Sequence, residues 1–491
     1  MSAIEVTVLG GGPAGTAAAR MLALWGHRVL LLTRPPRGPA LAESLTPSCG
    51  KLLERIGVLD AINRAGFVRS TGHTVQWGNT DARVEMFGSG ETGWQLLSND
   101  LDRVLLLKRR RRGAMVHRHA NVRRVEQGDD GEWRIGYEER GVMRHISSPW
   151  VIDCTGRSGL MSRANSGRVA AGARTMAIVG VWERRPHWDL ANDSHTYVES
   201  YPGGWAWSVP VSRIRRQVTV MLDPSRTDVA QGRRLPLTYR DELARTSMIR
   251  AMTERARPIG APWARDASSY ACDGPTRERL LVAGDAASFV DPLSSFGVKK
   301  ALASGWLAAV VAHSVLADAT IGAPAMSLFA AREQAMVSGL RRQLGELARE
   351  AADAHPAGFW GTRAGTDVMT ESGDPDVAAL RGDADVMAAF DAIRRAEVLR
   401  LRAASGVMQV AQPVVDGHLV VLRDHLVVPA FPGGIRYLRN VDLVALARLA
   451  PRFAEVPALY MAYCAEVGGA PIADVLGALS VLVGKGMLRL A

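Results

Sequence analysis

The apolar spacing of the chain opens on a buried strand, Glu5-Val-Thr-Val-Leu9, then an apolar-faced helix to about Trp25, then a second apolar run, His27 to Leu32. Strand, helix and strand in that order predict the start of an α/β unit. A helix is expected from about Asp100 and a further strand over Pro149 to Asp153. In the middle of the chain, Arg174 to Trp182, His195 to Ser200, Gly204 to Val211 and Gln217 to Leu222 are strand-like runs separated by turn residues. They predict an antiparallel sheet, to which residues 67–87 add strands. Helices are expected over 297–316 and 324–353, then a stretch rich in Gly, Pro and Asp over 356–377, then another helix to about Ala404. The last eighty residues read as a separate module. Leu419 to Leu422 and Leu426 to Val428 suggest a hairpin, Val441 to Ala450, Val456 to Val467 and Ile472 to Val483 three short helices, and Met487 to Leu490 a closing strand. No internal repeat is visible.

With 491 residues, 47% hydrophobic and 22% charged, the chain has the composition of a soluble protein of two or three domains. Cys49, Cys154, Cys272 and Cys464 show no paired spacing, so a disulfide framework or a metal site is not expected and a reducing cytoplasm fits. The net charge of +11 and the run Lys108 to Arg112 invite a nucleic-acid reading. That run closes a helix, where cations complement the dipole, and no nucleic-acid partner is expected. The apolar run Trp306 to Leu316 is short and broken by His313 and Ser314, and no basic leader precedes Val6, so neither a membrane span nor an export signal is expected.

Between the first strand and the first helix lies Gly10-x-Gly12-Pro13-Ala14-Gly15, the setting that a dinucleotide fingerprint needs. Gly10 makes the tight turn, Gly12 lets the backbone approach a pyrophosphate, and Gly15 lets the helix pack on the strand. The acid that normally ends the second strand is missing; Thr33 and Arg34 stand there, and Arg34 reads either as a partner for a nucleotide phosphate or as a solvated loop residue. A second match, Gly88-x-Gly90-x-x-Gly93, has no helix after it and reads as a loop.

Far downstream an apolar strand ends in Gly284-Asp285, and a helix begins near Gly297-Val298. A carboxylate at a strand end can accept from a polyol chain, and a helix start offers N–H groups to an anion. With the N-terminal glycines, these residues resemble the flavoprotein monooxygenase superfamily with the hydroxybenzoate hydroxylase type of FAD domain, over roughly residues 1–345. Glu43-Ser44-Leu45-Thr46-Pro47, Phe289-x-x-Pro292-x-x-Ser295-x-Gly297 and Trp205-x-Trp207-x-Val209-Pro210 look like its flavin-dependent halogenase branch. The indole pair also has a plain reading as core aromatics. The resemblance implies a Rossmann-like FAD domain, an antiparallel-sheet substrate domain, and Trp205, Trp207, Pro292 and Ser295 between flavin and substrate. Halogenases of this branch hold hypohalous acid with a lysine; alignment puts Ser70 there, and no lysine stands between Lys51 and Lys108. The better expectation is therefore oxygen transfer from a flavin hydroperoxide to an aromatic ring, with His73 as a candidate acid or base.

Asp153-Cys-Thr-Gly156 departs from the Asp-Gly pair of relatives that bind NADPH, which points to a separate flavin reductase, and Ser98 stands where many relatives carry an arginine. The expected division is an FAD domain in three parts, 1–66, 95–165 and 267–345, and a substrate domain in two, 67–94 and 166–266. A helical linker follows over 346–411, then a winged-helix-like module over 412–491. Such modules accompany peptide-modifying enzymes. Taken together, the chain most resembles the peptidyl tryptophan dihydroxylases of cysteine tryptophylquinone biogenesis, which implies a tryptophan within a protein as substrate. Halogenation of a phenol, pyrrole or indole is the second expectation. A non-catalytic flavin-binding partner or maturation chaperone is the third.

Overall fold

The computed structural model describes residues 3–36, 38–107, 114–163, 167–226, 235–356, 358–364, 380 and 382–490. The basic run 108–112 lies outside the described residues. The chain divides into two compact units, residues 1–369 and 370–491.

In the first unit a six-stranded sheet carries Val6–Leu9 at its centre. On one side lie Val29–Thr33 and Ala114–Arg118; on the other lie Trp150–Asp153 and Leu280–Val282, with a short antiparallel hairpin strand beyond. All four residues of the first strand are buried, three of them apolar and the fourth, Thr7, hydrogen-bonded through its hydroxyl to Ser148 at 2.8 Å. The helix Pro13–Leu24 packs against Gly297–Ala317, and the crossing is close because a Cβ on Gly305 would fall 2.1 Å from the Ala14 carbonyl oxygen. Gly297–Ala317 has the length and apolarity to cross a membrane, and 61% of its most apolar window is buried inside the protein. The helix matches the one expected over 297–316, and its apolar character extends beyond the run Trp306 to Leu316.

The second sheet has seven strands in the order Arg257–Asp266, Met176–Glu183, Arg215–Leu222, Gly204–Pro210, Thr196–Tyr201, Gly72–Gln76 and Arg83–Met86. Its pairing corrects the expected antiparallel sheet. Thr196–Glu199 runs parallel to His73–Gln76, so the sheet is mixed, because the two outer strands arrive from a distant part of the chain. The strand Arg257–Asp266 and the helices Leu235–Ala244 and Met248–Thr253 were not anticipated. Val68–Ser70 pairs instead with Gly93–Leu97 in a small separate sheet.

The second unit has its own core. Val386 and Ile393 of the helix Ala384–Arg395 join Leu446, Leu459, Leu479 and Leu482 there. A boundary at 412 would cut through this core, and the expected helix to Ala404 stops at Arg395, followed by the strand Leu401–Ala403 paired with Leu488–Leu490. The two short strands expected after 419 form one, Leu419–Val428, paired along its length with Met408–Asp416. The helices Leu443–Leu449, Val456–Val467 and Ile472–Gly484 follow.

Candidate functional site

The fingerprint turn separates its three glycines by what surrounds them. Gly10 has φ +100°, and a Cβ there would fall 2.2 Å from the carbonyl oxygen of Cys154, just past the end of the neighbouring strand Trp150–Asp153. A Cβ on Gly15 would fall 1.9 Å from the Gly10 carbonyl oxygen. Gly12 is different: a Cβ there meets nothing within 4 Å, and the residue faces a cavity of about 830 Å³. Pro13 opens the helix, no acid stands in its first turn, and the helix start is electrically suited to an anion.

Strands of the mixed sheet form another side of that cavity. Ala177, Val179, Thr196, Val198, Trp205, Trp207 and Thr219 face it from four neighbouring strands. Two residues apart on one strand, Trp205 and Trp207 share a face and stack at 4.5 Å with 23° between planes. Trp205 is 2% exposed and packs with Trp77, Met221, Ala348 and Trp360, so it is a core residue as well as a wall residue; Trp207 is half-buried.

The third side comes from the turn after Leu280–Val282. Gly284 has φ +65° and donates its N–H to the Ser304 hydroxyl at 2.8 Å, and the Asp285 carboxylate reaches the cavity beside it. The Asp291 side chain accepts from Leu293 N–H at 3.0 Å and caps the turn Pro292–Ser294. Ser295 then takes φ +52°, and Gly297 starts the long helix. Burial pushes the Asp291 carboxyl up to about 6, opposed by Leu293 N–H and, more weakly, by the Trp205 indole.

The structure thus gathers Gly12, Pro13, Ala14, Ser44, Trp205, Trp207, Asp285, Pro292, Ser295, Gly297 and Val298 around one cavity. Gly10, Gly15 and Gly284 are not in that wall; they set the turns behind it. Arg34 is exposed and outside the wall. His73 also stands outside it. The ring lies edge-on to Phe87 at 5.1 Å with Nδ1 buried and unpartnered, burial lowers its pKa, and it is His73's strand partner Thr196, not His73, that lines the wall. Ser70 is buried and donates to the Gly72 carbonyl at 3.0 Å.

Among the wall residues that the sequence does not single out as a site, Glu43, Asp102 and Lys300 bear most on its charge. Burial raises the Glu43 carboxyl to about 8, helped by the charges of Asp285 and Asp102, and burial raises Asp102 to about 7. Lys300 lines the wall while only 4% exposed. Glu43 precedes Ser44 within a motif the sequence reading had already marked. Lys300 had its own signal, a second consecutive lysine in the positive first turn of a helix.

A profile of the FAD binding domain family matches residues 3–310. The chain belongs to this family. It is therefore a flavin-dependent oxidoreductase with a Rossmann-type FAD domain, and the open Gly12 cradle and cavity size fit that cofactor. Among relatives, flavin-dependent halogenase armH3 of Armillaria mellea is 26% identical over 356 residues, 64% of this chain and 68% of that one. The crystal structure of CmlS, a flavin-dependent halogenase, superposes with TM-score 0.78 at 20% identity, over 99% of this chain and 96% of that one. The peptidyl tryptophan dihydroxylase QhpG, essential for tryptophylquinone cofactor biogenesis, superposes with TM-score 0.68 at 20% identity, over 99% and 100%. At that identity both likenesses speak to the fold.

Proposed function

We propose that this chain uses FAD, reduced by a separate reductase, and O₂ to insert oxygen into an aromatic ring lying against Trp207. The residues that would hold FAD are the first turn of Pro13–Leu24 for its phosphates, Asp285 for its polyol chain, and the start of Gly297–Ala317 for the negative charge of its reduced ring. Bound there, the cofactor supplies the oxidising equivalent drawn from O₂. The chain's own part is to bury the ring against the stacked indoles and to exclude water on the side closed by Pro292 and Leu293.

One observation carries oxygen insertion. Lys300 is the lysine of the cavity wall among the described residues, and its ammonium is engaged by Ser288 and Asp285, with no lysine over the aromatic face. The relatives favour halogenation over hydroxylation, since armH3 and CmlS are both named halogenases, and oxygen insertion stands here on the cavity wall alone. That makes halogenation of an aromatic ring the second reading. For the first, the full-length likeness to QhpG supports a tryptophan within a protein as substrate, with residues 370–491 as the unit that recognises the partner.

The test supplies reduced FAD, ¹⁸O₂ and bromide with free indole or a tryptophan-containing protein partner. A mass gain in whole labelled oxygen atoms, with no brominated product, is expected. Bromination by the unaltered protein overturns oxygen insertion and leaves the halogenase reading standing.

A further inference from the structure

Two lysines open the helix Gly297–Ala317, at the end where the helix dipole repels cations. Lys299 reaches back toward the protein surface, 3.2 Å from the Ser48 hydroxyl. Lys300 turns inward, and an ammonium so buried is costly unless its partners compensate it. It donates to the Ser288 carbonyl at 2.5 Å and the Ser288 hydroxyl at 3.3 Å, and it lies 3.4 Å from Oδ1 of Asp285. A second carboxylate completes the arrangement. Glu333, on the helix Gly322–Ala354, is 3% exposed; burial raises its carboxyl pKa, opposed first by the Ser304 hydroxyl and then by the Lys300 charge.

A buried cation is thus kept against the helix field and against desolvation. It touches the carboxylate that faces the cavity and supports a further carboxylate in the core. We propose that Lys300 is a positioning residue for the flavin: it fixes Asp285 toward the cavity and supplies the positive charge that favours reduced over oxidised FAD. The inference rests on FAD occupying this cavity. Without Lys300, Asp285 presents an uncompensated negative charge to a cofactor that gains negative charge on reduction.

The test measures the FAD dissociation constant and the two-electron midpoint potential of the holoprotein. In Lys300→Met, reduced FAD should lose about tenfold more affinity than oxidised FAD, a fall of about 30 mV in the potential. Lys300→Arg, which keeps the charge, should restore most of that potential even where the dissociation constant stays raised. If Lys300→Met does not accumulate folded, the double variant Lys300→Met/Glu333→Gln also removes the buried carboxylate that has lost the lysine charge, and is read by the same criterion. An unchanged potential in the neutral variant, or an equal fall in Lys300→Arg, overturns the proposal. Failure of the wild-type protein to hold FAD would instead overturn the proposed function.

Discussion

Gly12 and Gly15 stand three residues apart in one motif, and the structure predicts opposite consequences for filling them. At Gly12 the backbone is extended, φ −75° and ψ −170°, a conformation open to any residue, and a Cβ meets nothing within 4 Å. Gly12→Val should therefore fold with a stability within about 1 kcal/mol of the parent. The same side chain occupies the space through which a pyrophosphate must reach the helix start. Loss of two charge-assisted N–H contacts at about 1.5–3 kcal/mol each weakens FAD binding by roughly 10²- to 10⁴-fold. At Gly15 a Cβ would lie 1.9 Å from the Gly10 carbonyl, against the 3.0 Å below which something must shift, so Gly15→Ala has to push the helix off the strand by about 1 Å. Overpacking of that kind costs about 1–3 kcal/mol. The assay pairs flavin absorbance per protein with denaturant unfolding of both apoproteins. Gly12→Val with full FAD occupancy, or Gly15→Ala with parental stability, would refute the division of roles.

The indoles should part in the same manner: Trp205→Ala, at a core position, costs about 3–5 kcal/mol of stability, whereas Trp207→Ala should chiefly raise the KM for the aromatic substrate. Equal destabilisation by the two, read by denaturant midpoint, contradicts this. Glu43 makes stability pH-dependent. Its carboxyl is raised from 4.5 to about 8, so its contribution is full below about pH 4.5 and is lost as pH climbs through 8. Apoprotein stability should fall between pH 5 and 8, less steeply in Glu43→Gln, with Asp102 supplying the remaining slope; an unaltered slope in that variant counts against the assignment.

The FAD half was legible because its signals are local. A strand buried on both faces reads as a run apolar at all but Thr7, and Gly10 and Gly15 are required by backbone approaches of about 2 Å. The strand Arg257–Asp266 was not legible. It carries Pro258, Gly260 and Pro262, residues an edge strand tolerates and a sequence reader takes for a loop. The C-terminal unit begins earlier than the boundary expected at 412, because Val386 and Ile393 find their partners some 50 to 100 residues further on, a pairing that no local period announces. Leu419–Val428 was broken in two at Arg423-Asp424-His425, where the ladder with Met408–Asp416 carries the strand through exposed polar residues. His73 was attractive for its residue type; only the packing on Phe87 shows that it stands apart from the cavity wall.

The order of strands in the six-stranded sheet also sets a schedule for synthesis. The central strand, Val6–Leu9, is flanked on one side by Trp150–Asp153, and that strand in turn by Leu280–Val282. At about 5–20 residues per second, roughly a quarter of a minute to a minute separates the first of these from the last. During that interval the apolar faces of the early strands have no permanent cover, and non-local pairings of this span form slowly even once available. The glycine cradle is encoded at the outset, but Asp285 and the helix that follows it emerge only after the sheet's last parallel strand. A cofactor site built as proposed is therefore complete only after some 300 residues have been made, which makes it a late event in the life of each molecule.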